Sequence, residues 1–204
     1  MLLAAGLASG GGAEAGGTPG QFDYWVLSLS WIPEFCKIEP GDSQCKYPSN
    51  GFYVHGLWPQ YERGYPAYCA PREQVPEDMV LRLQPIMPTR ELIQYEWNKH
   101  GSCSGLSQEE YFMQLERARR AIAIPEQYQA PEQYQVDSAF NIKQAFLAVN
   151  PSFDDQSLVL QCHGKFLREV RVCFNADLEP RACGRDVEDK CRDKITIRPG
   201  RNIE

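Results

Sequence analysis

FDYWVLSLSW, residues 22–31, alternates along its length. Trp25, Leu27, Leu29 and Trp31 fall to one side, and Val26, Ser28 and Ser30 to the other. Period two in a run rich in aromatic and aliphatic residues predicts a strand with one well-buried face. Before it lies MLLAAGLASGGGAEAGGTPG (1–20), an apolar run that passes into small residues and Gly-rich coil. That segment resembles a secretory signal peptide without a basic front end, or an apolar tail feeding a flexible linker. On either reading residues 1–21 are expected outside the fold, and 22–204 form one domain.

After the strand, Pro33 to Gly51 has the composition of a loop. FYVHGLWP (52–59) predicts a short strand, with Phe52 and Val54 on one face and Tyr53 and His55 on the other. Residues 60–72 read as a loop. Three helices follow: 76–87, stopped by Pro88; 90–100, capped by Thr89 and ended by Gly101; and 108–123, opened by the capping box Ser107/Glu110. Pro125 to Tyr134 reads as a loop, and a fourth helix is expected from Asp137 to Asn150. SLVLQC (157–162), FLREVRVCF (166–174) and KITIR (194–198) read as strands. Strands, then helices, then strands predict an α+β fold, a single domain with helices flanking a sheet.

The chain has 204 residues and a net charge of −6. That mean field repels polyanions, so any nucleic-acid binding needs a local basic pocket. Eight cysteines at 36, 45, 69, 103, 162, 173, 183 and 191 form no C-x-x-C pair. An even count at wide spacing predicts four disulfides and an oxidising compartment, with the connectivity left open. No stretch has the roughly 20 apolar residues of a membrane span. No N-x-S/T sequon has a permitted middle residue, which leans towards a bacterial source.

The chain holds three histidines. One lies in YEWNKHGSC (95–103). At about 100° per residue, Glu96, Lys99 and His100 share one helix face, while Ile93 and Trp97 can anchor the helix in the core. Alone, such a face is most simply a solvated charged surface. A second histidine, His55, stands in HGLWP, followed by a glycine that permits close approach and by an aromatic, Trp58. Two imidazoles, a carboxylate and an ammonium suit attack of a ribose 2′-hydroxyl on its neighbouring phosphorus. No metal or other cofactor is required. Zinc is the competing use of two His and one Glu, but the helix carries E-x-x-x-H with an adjoining lysine, not H-E-x-x-H. No G-x-S-x-G supports a serine hydrolase.

FYVHGLWPQ and EWNKHGSC resemble, in that order, the two active-site segments of the ribonuclease T2 family. The resemblance runs from about Phe22 to Arg198. It implies an α+β fold with a central antiparallel sheet, stapled by disulfides. It also implies endonucleolytic cleavage of single-stranded RNA through a 2′,3′-cyclic phosphate, with low base specificity. Carried over, His55, Glu96, Lys99 and His100 are the catalytic residues, with His100 as general base and His55 as general acid. Trp58 would stack on a base, Gln60 sits where some members carry a base-reading acid, and Tyr61 and Tyr65 are wall candidates. Tyr95 stands where many members have a phosphate-binding histidine, which implies weaker phosphate affinity and a milder dependence on acid pH. His163 matches no catalytic position. The pairing implied is Cys36–Cys45, Cys69–Cys103, Cys162–Cys191 and Cys173–Cys183. The expected protein is a secreted or periplasmic monomer of bacterial type that cleaves RNA and not DNA and binds no membrane. The alternatives are a catalytically silent, RNA- or protein-binding descendant of the same fold, and a disulfide-rich module unrelated to enzymes.

Overall fold

The computed structural model describes residues 14–46 and 51–200. The apolar run of the N-terminal segment therefore lies outside the described residues, as do 47–50 and 201–204. The helices are α1 (Ile32–Ile38), α2 (Glu77–Leu83), α3 (Arg90–Lys99), α4 (Gln108–Arg120) and α5 (Ala139–Val149). The strands are β1 (Glu14–Ala15), β2 (Tyr24–Trp31), β3 (Phe52–Gln60), β4 (Pro66–Ala67), β5 (Gln135–Asp137), β6 (Leu158–His163), β7 (Phe166–Phe174) and β8 (Ile195–Ile197). The main sheet runs β3-β2-β7-β8-β5, with β6 also paired to β7. Its long ladders are antiparallel, and β7–β8 is a single parallel bridge. The fold is α+β, as expected.

β2 lies between β3 and β7, and all eight of its residues are buried. Trp25, Leu27, Leu29 and Trp31 face the large core beneath the helices, with Phe112, Leu115 and Phe146. The opposite face is covered as well, which corrects the expectation of one buried face. There Val26 joins Trp58, Cys173 and Val187 in a second apolar cluster, while Ser28 and Ser30 lie buried beside it. Small polar side chains on that face leave room for a cleft above the sheet.

Three further expectations change. Pro33 to Gly51 is not all loop: α1 starts before it, with Pro33 in its first turn, where the missing N–H costs nothing. The last long helix is capped by Ser138, whose hydroxyl accepts from Asn141 N, so it begins after Asp137. Residues 14–21 are docked rather than outside the fold. β1 pairs with β4, and Gly16 N and Gly20 N donate to the carbonyls of Ala67 and Cys103. Backbone pairing holds this stretch, and composition does not report that. The Thr89 cap and the Ser107/Glu110 capping box form as expected.

All four implied disulfides are present. Cys69–Cys103 ties the segment after β4 to the turn that ends α3, and Tyr68 N donates to Lys99 O beside it. No helix among the described residues is long and apolar enough to cross a membrane.

Candidate active site

Two β-bulges shape the cleft. Along β3, Ser28 pairs with Gly56 and Leu29 with Val54, so His55 is an extra residue without an opposite number. Along β7, Gln161 pairs with Glu169 and Cys162 with Leu167, so Arg168 is the extra residue there. A bulge re-aims the side chains beyond it. Val54 and Leu57, three apart, both reach the large core, while His55 and Trp58, also three apart, both line one cleft. Strict alternation would have put each pair on opposite faces.

α3 closes the cleft from the other side. Ile93 and Trp97 are buried in the core as expected, so Glu96, Lys99 and His100 point to β3. The cleft measures about 340 Å³. It brings together all seven residues expected at the site: His55, Trp58, Gln60, Tyr95, Glu96, Lys99 and His100. Tyr65 lines it too, whereas Tyr61 does not. His163 is remote in role: it ends β6 and lies 3.5 Å from Glu34.

Trp58 Nε1 donates to Glu96 Oε2 at 2.7 Å. That bond passes over Gly56, where any Cβ would collide with the Glu96 carboxylate and the indole nitrogen. Glycine is needed here for close approach. His55 sits between two carboxylates: Nε2 is 3.6 Å from Glu96 Oε1, and Nδ1 is 3.2 Å from Glu169 Oε1. Glu169 Oε2 accepts from Arg171 Nη2 at 2.7 Å and Nε at 3.0 Å. Lys99 Nζ donates to Tyr95 Oη at 3.0 Å.

Trp58, expected to stack on a base, lines the cleft as a largely buried ring. The ring is buried, with the Arg171 guanidinium 5.1 Å from its centroid and the His100 ring tilted at 5.3 Å. Its N–H is bonded to Glu96, and its ring centroid lies 5.2 Å from that of His55 and 5.3 Å from that of His100. Gln60 is buried at the cleft wall, and Tyr65 approaches His100 at 5.7 Å.

The two imidazoles are driven apart in proton affinity. Burial pulls His55 down, but the hydrogen bond to Glu169 and the charges of Glu96 and Glu169 outweigh it, so its pKa is raised. Burial, with the charges of Lys99 and His55 adding to it, holds His100 well below the ordinary histidine value. Burial raises the Glu96 carboxyl, against the pull of His55 and the Trp58 N–H. Burial also acts upward on Glu169, yet the hydrogen bond and charge of His55, with Arg171, bring it down to about 2. Glu96 Oε1 and His100 Nδ1 are buried without a hydrogen-bond partner. The cleft thus makes His55 hold its proton more tightly than His100, with Lys99 beside them.

Arg168, Glu169 and Arg171 were not singled out in the sequence, although all three line the cleft. Their signal was a run of charges inside FLREVRVCF, a strand otherwise suited to a core.

The family model described as the Ribonuclease T2 family matches residues 22–183. A ribonuclease of Aeromonas hydrophila is 38% identical over 185 residues, covering 87% of this chain and 82% of that protein. A probable ribonuclease of Haemophilus influenzae is 34% identical over 122 residues, covering 52% of this chain and 45% of its own. Among solved structures, an RNase-related protein from Calystegia sepium superposes with a TM-score of 0.71 at 21% identity, covering 89% of this chain and 99% of that one.

Proposed function

The chain belongs to the ribonuclease T2 family and is an endoribonuclease of that type, and from that premise we propose that His100 and His55 share its acid–base chemistry. His100 takes the proton of the ribose 2′-hydroxyl. The 2′ oxygen attacks phosphorus, and the P–O2′ bond forms as the P–O5′ bond breaks. His55 gives its proton to the departing 5′ oxygen, so the 5′ fragment ends in a 2′,3′-cyclic phosphate and the 3′ fragment leaves with a free 5′-hydroxyl. Lys99 and Glu96 stabilise the pentacoordinate phosphorane, Lys99 by charge and Glu96 from its anchor on Trp58. DNA lacks the attacking hydroxyl and is not cleaved.

The observation that carries this reading is the opposite displacement of two imidazoles lining one cleft. Titratable groups pushed apart by their surroundings identify the acid and the base. The base must be neutral and the acid protonated, so activity is bell-shaped in pH, with His100 setting the acid limb and His55 the alkaline limb. Tyr65 and Gln60 offer an aromatic face and an amide to the base, a pairing that supports broad acceptance of bases. Four disulfides support an oxidising, extracellular or periplasmic setting.

The test is to incubate the protein in EDTA with a short RNA and its DNA counterpart, alongside His100→Ala and His55→Ala. Cyclic-phosphate ends from RNA alone, lost in both variants by a factor of about 10² or more, are expected. Binding of RNA without product between pH 4 and 8 would favour the silent descendant.

A further inference from the structure

The cleft contains a carboxylate that the proposed mechanism leaves unused. Glu169 is buried at 3% exposure in the middle of the sheet, opposite Ser30 of β2. A carboxylate that deep is tolerated only where hydrogen bonds and opposite charge compensate its lost hydration. One oxygen meets His55 Nδ1, and the other accepts two N–H groups of Arg171. The Arg171 guanidinium lies over Trp58, Trp58 bonds Glu96, and Glu96 faces His55. The five side chains close a ring that includes the imidazole.

We propose that Glu169, held by Arg171, is the positioning residue that fixes His55 as the proton donor, an inference resting on the reading of His55 as general acid. A carboxylate on Nδ1 keeps that nitrogen protonated and leaves Nε2 as the atom that exchanges a proton. Nε2 is the nitrogen facing Glu96. Glu96 cannot do this work alone. It is 3.6 Å away, it is shared with Trp58, and burial raises its own proton affinity. Glu169 stays ionised throughout the working range. The bulge at Arg168 accounts for the placement, because it puts Glu169 on the cleft side while Leu167 and Val170 stay in the core.

Three elements bring charged or titratable groups to the cleft around His55. α3 supplies Glu96, Lys99 and His100; β7 supplies Arg168, Glu169 and Arg171; the loop after Cys183 supplies Asp186. β2 adds no charged group: Val26 lines the cleft, and Ser28 and Ser30 are buried on the same face of the strand. Glu169 and Arg171 act on His55 in opposite senses, the first raising and the second lowering its proton affinity. Substituting each should therefore move the His55 titration in opposite directions, a readout that a merely structural role would not produce.

The test compares Glu169→Gln and Arg171→Met in the full disulfide-bonded chain. His55 is titrated by NMR, with only three imidazoles to assign, and kcat and KM are followed against pH on a dinucleotide. In E169Q the His55 titration and the alkaline limb should fall together by about one pH unit. That is about tenfold in kcat above the limb, with KM within about twofold and the acid limb unmoved. In R171M the same two readings should rise. The proposal is overturned if E169Q loses rate evenly at all pH values while His55 titrates as before, or if neither reading moves. If E169Q does not fold, R171M decides alone: an unmoved or lowered limb overturns the proposal. A wild-type alkaline limb that does not coincide with the His55 titration overturns the general-acid reading itself, and the proposal with it.

Discussion

Gly56→Ala is the smallest change that reaches the centre of the site. The backbone at 56 is not left-handed, so alanine brings no strain of its own. Its methyl would lie 2.8 Å from Glu96 Cδ, and closer still to Oε2 and to Trp58 Nε1. The carboxylate must retreat by about 1 Å, a displacement that can cost about a hundredfold in rate. The buried Trp58–Glu96 bond breaks with it, and a hydrogen bond to a charged group is worth about 1.5–3 kcal/mol. For a chain of this size about 2 kcal/mol lowers Tm by roughly 4–8 °C. Expected, then, is a kcat/KM about 10²-fold lower on a dinucleotide, with a modest drop in Tm by calorimetry. Gly41→Ala is the control, since a methyl there meets nothing within 4 Å. A G56A enzyme within about threefold of wild type would refute the claim that Glu96 is held over Gly56 in its working position.

Two other perturbations follow from the charges. The pKa of Glu169 is depressed from 4.5 to about 2, so its contribution is present above pH 4.5 and is lost as pH falls through 2. At 1.36 kcal/mol per unit the buried group supplies on the order of 3 kcal/mol; urea melts should show that loss between pH 5 and pH 2, and a flatter dependence in E169Q. Tyr95→His replaces the acceptor of Lys99 with a group that gains charge below about pH 6.5. KM for RNA should fall several-fold at pH 5 and stay unchanged at pH 8; an equal change at both would show that Tyr95 matters through packing alone.

The local parts of this site were legible because each is contained in one segment. Helical spacing alone puts Glu96, Lys99 and His100 on one face, with Ile93 and Trp97 as anchors, and the helix does present them so. The alternation of β2 identified the core strand. What escaped was set by register between strands. Period two separates His55 from Trp58, and only the bulge opposite Ser28 and Leu29 returns them to one cleft. Ser28 and Ser30 lie opposite the core-facing side chains of their strand, yet they are buried, Ser28 paired across the sheet with Gly56 and Ser30 with Glu169. Glu169 sits far from His55 in sequence, and its role depends on β2 lying between their strands. The groups that would move protons lie in two short segments, whereas the groups that set their affinities come from a third strand. Proton affinity depends on what the fold brings within a few ångströms, and a change of one residue in register on β7 would turn Glu169 away from the cleft. Reaction class is therefore readable from HGLWP and EWNKH, while the pH at which the reaction runs is a property of the sheet.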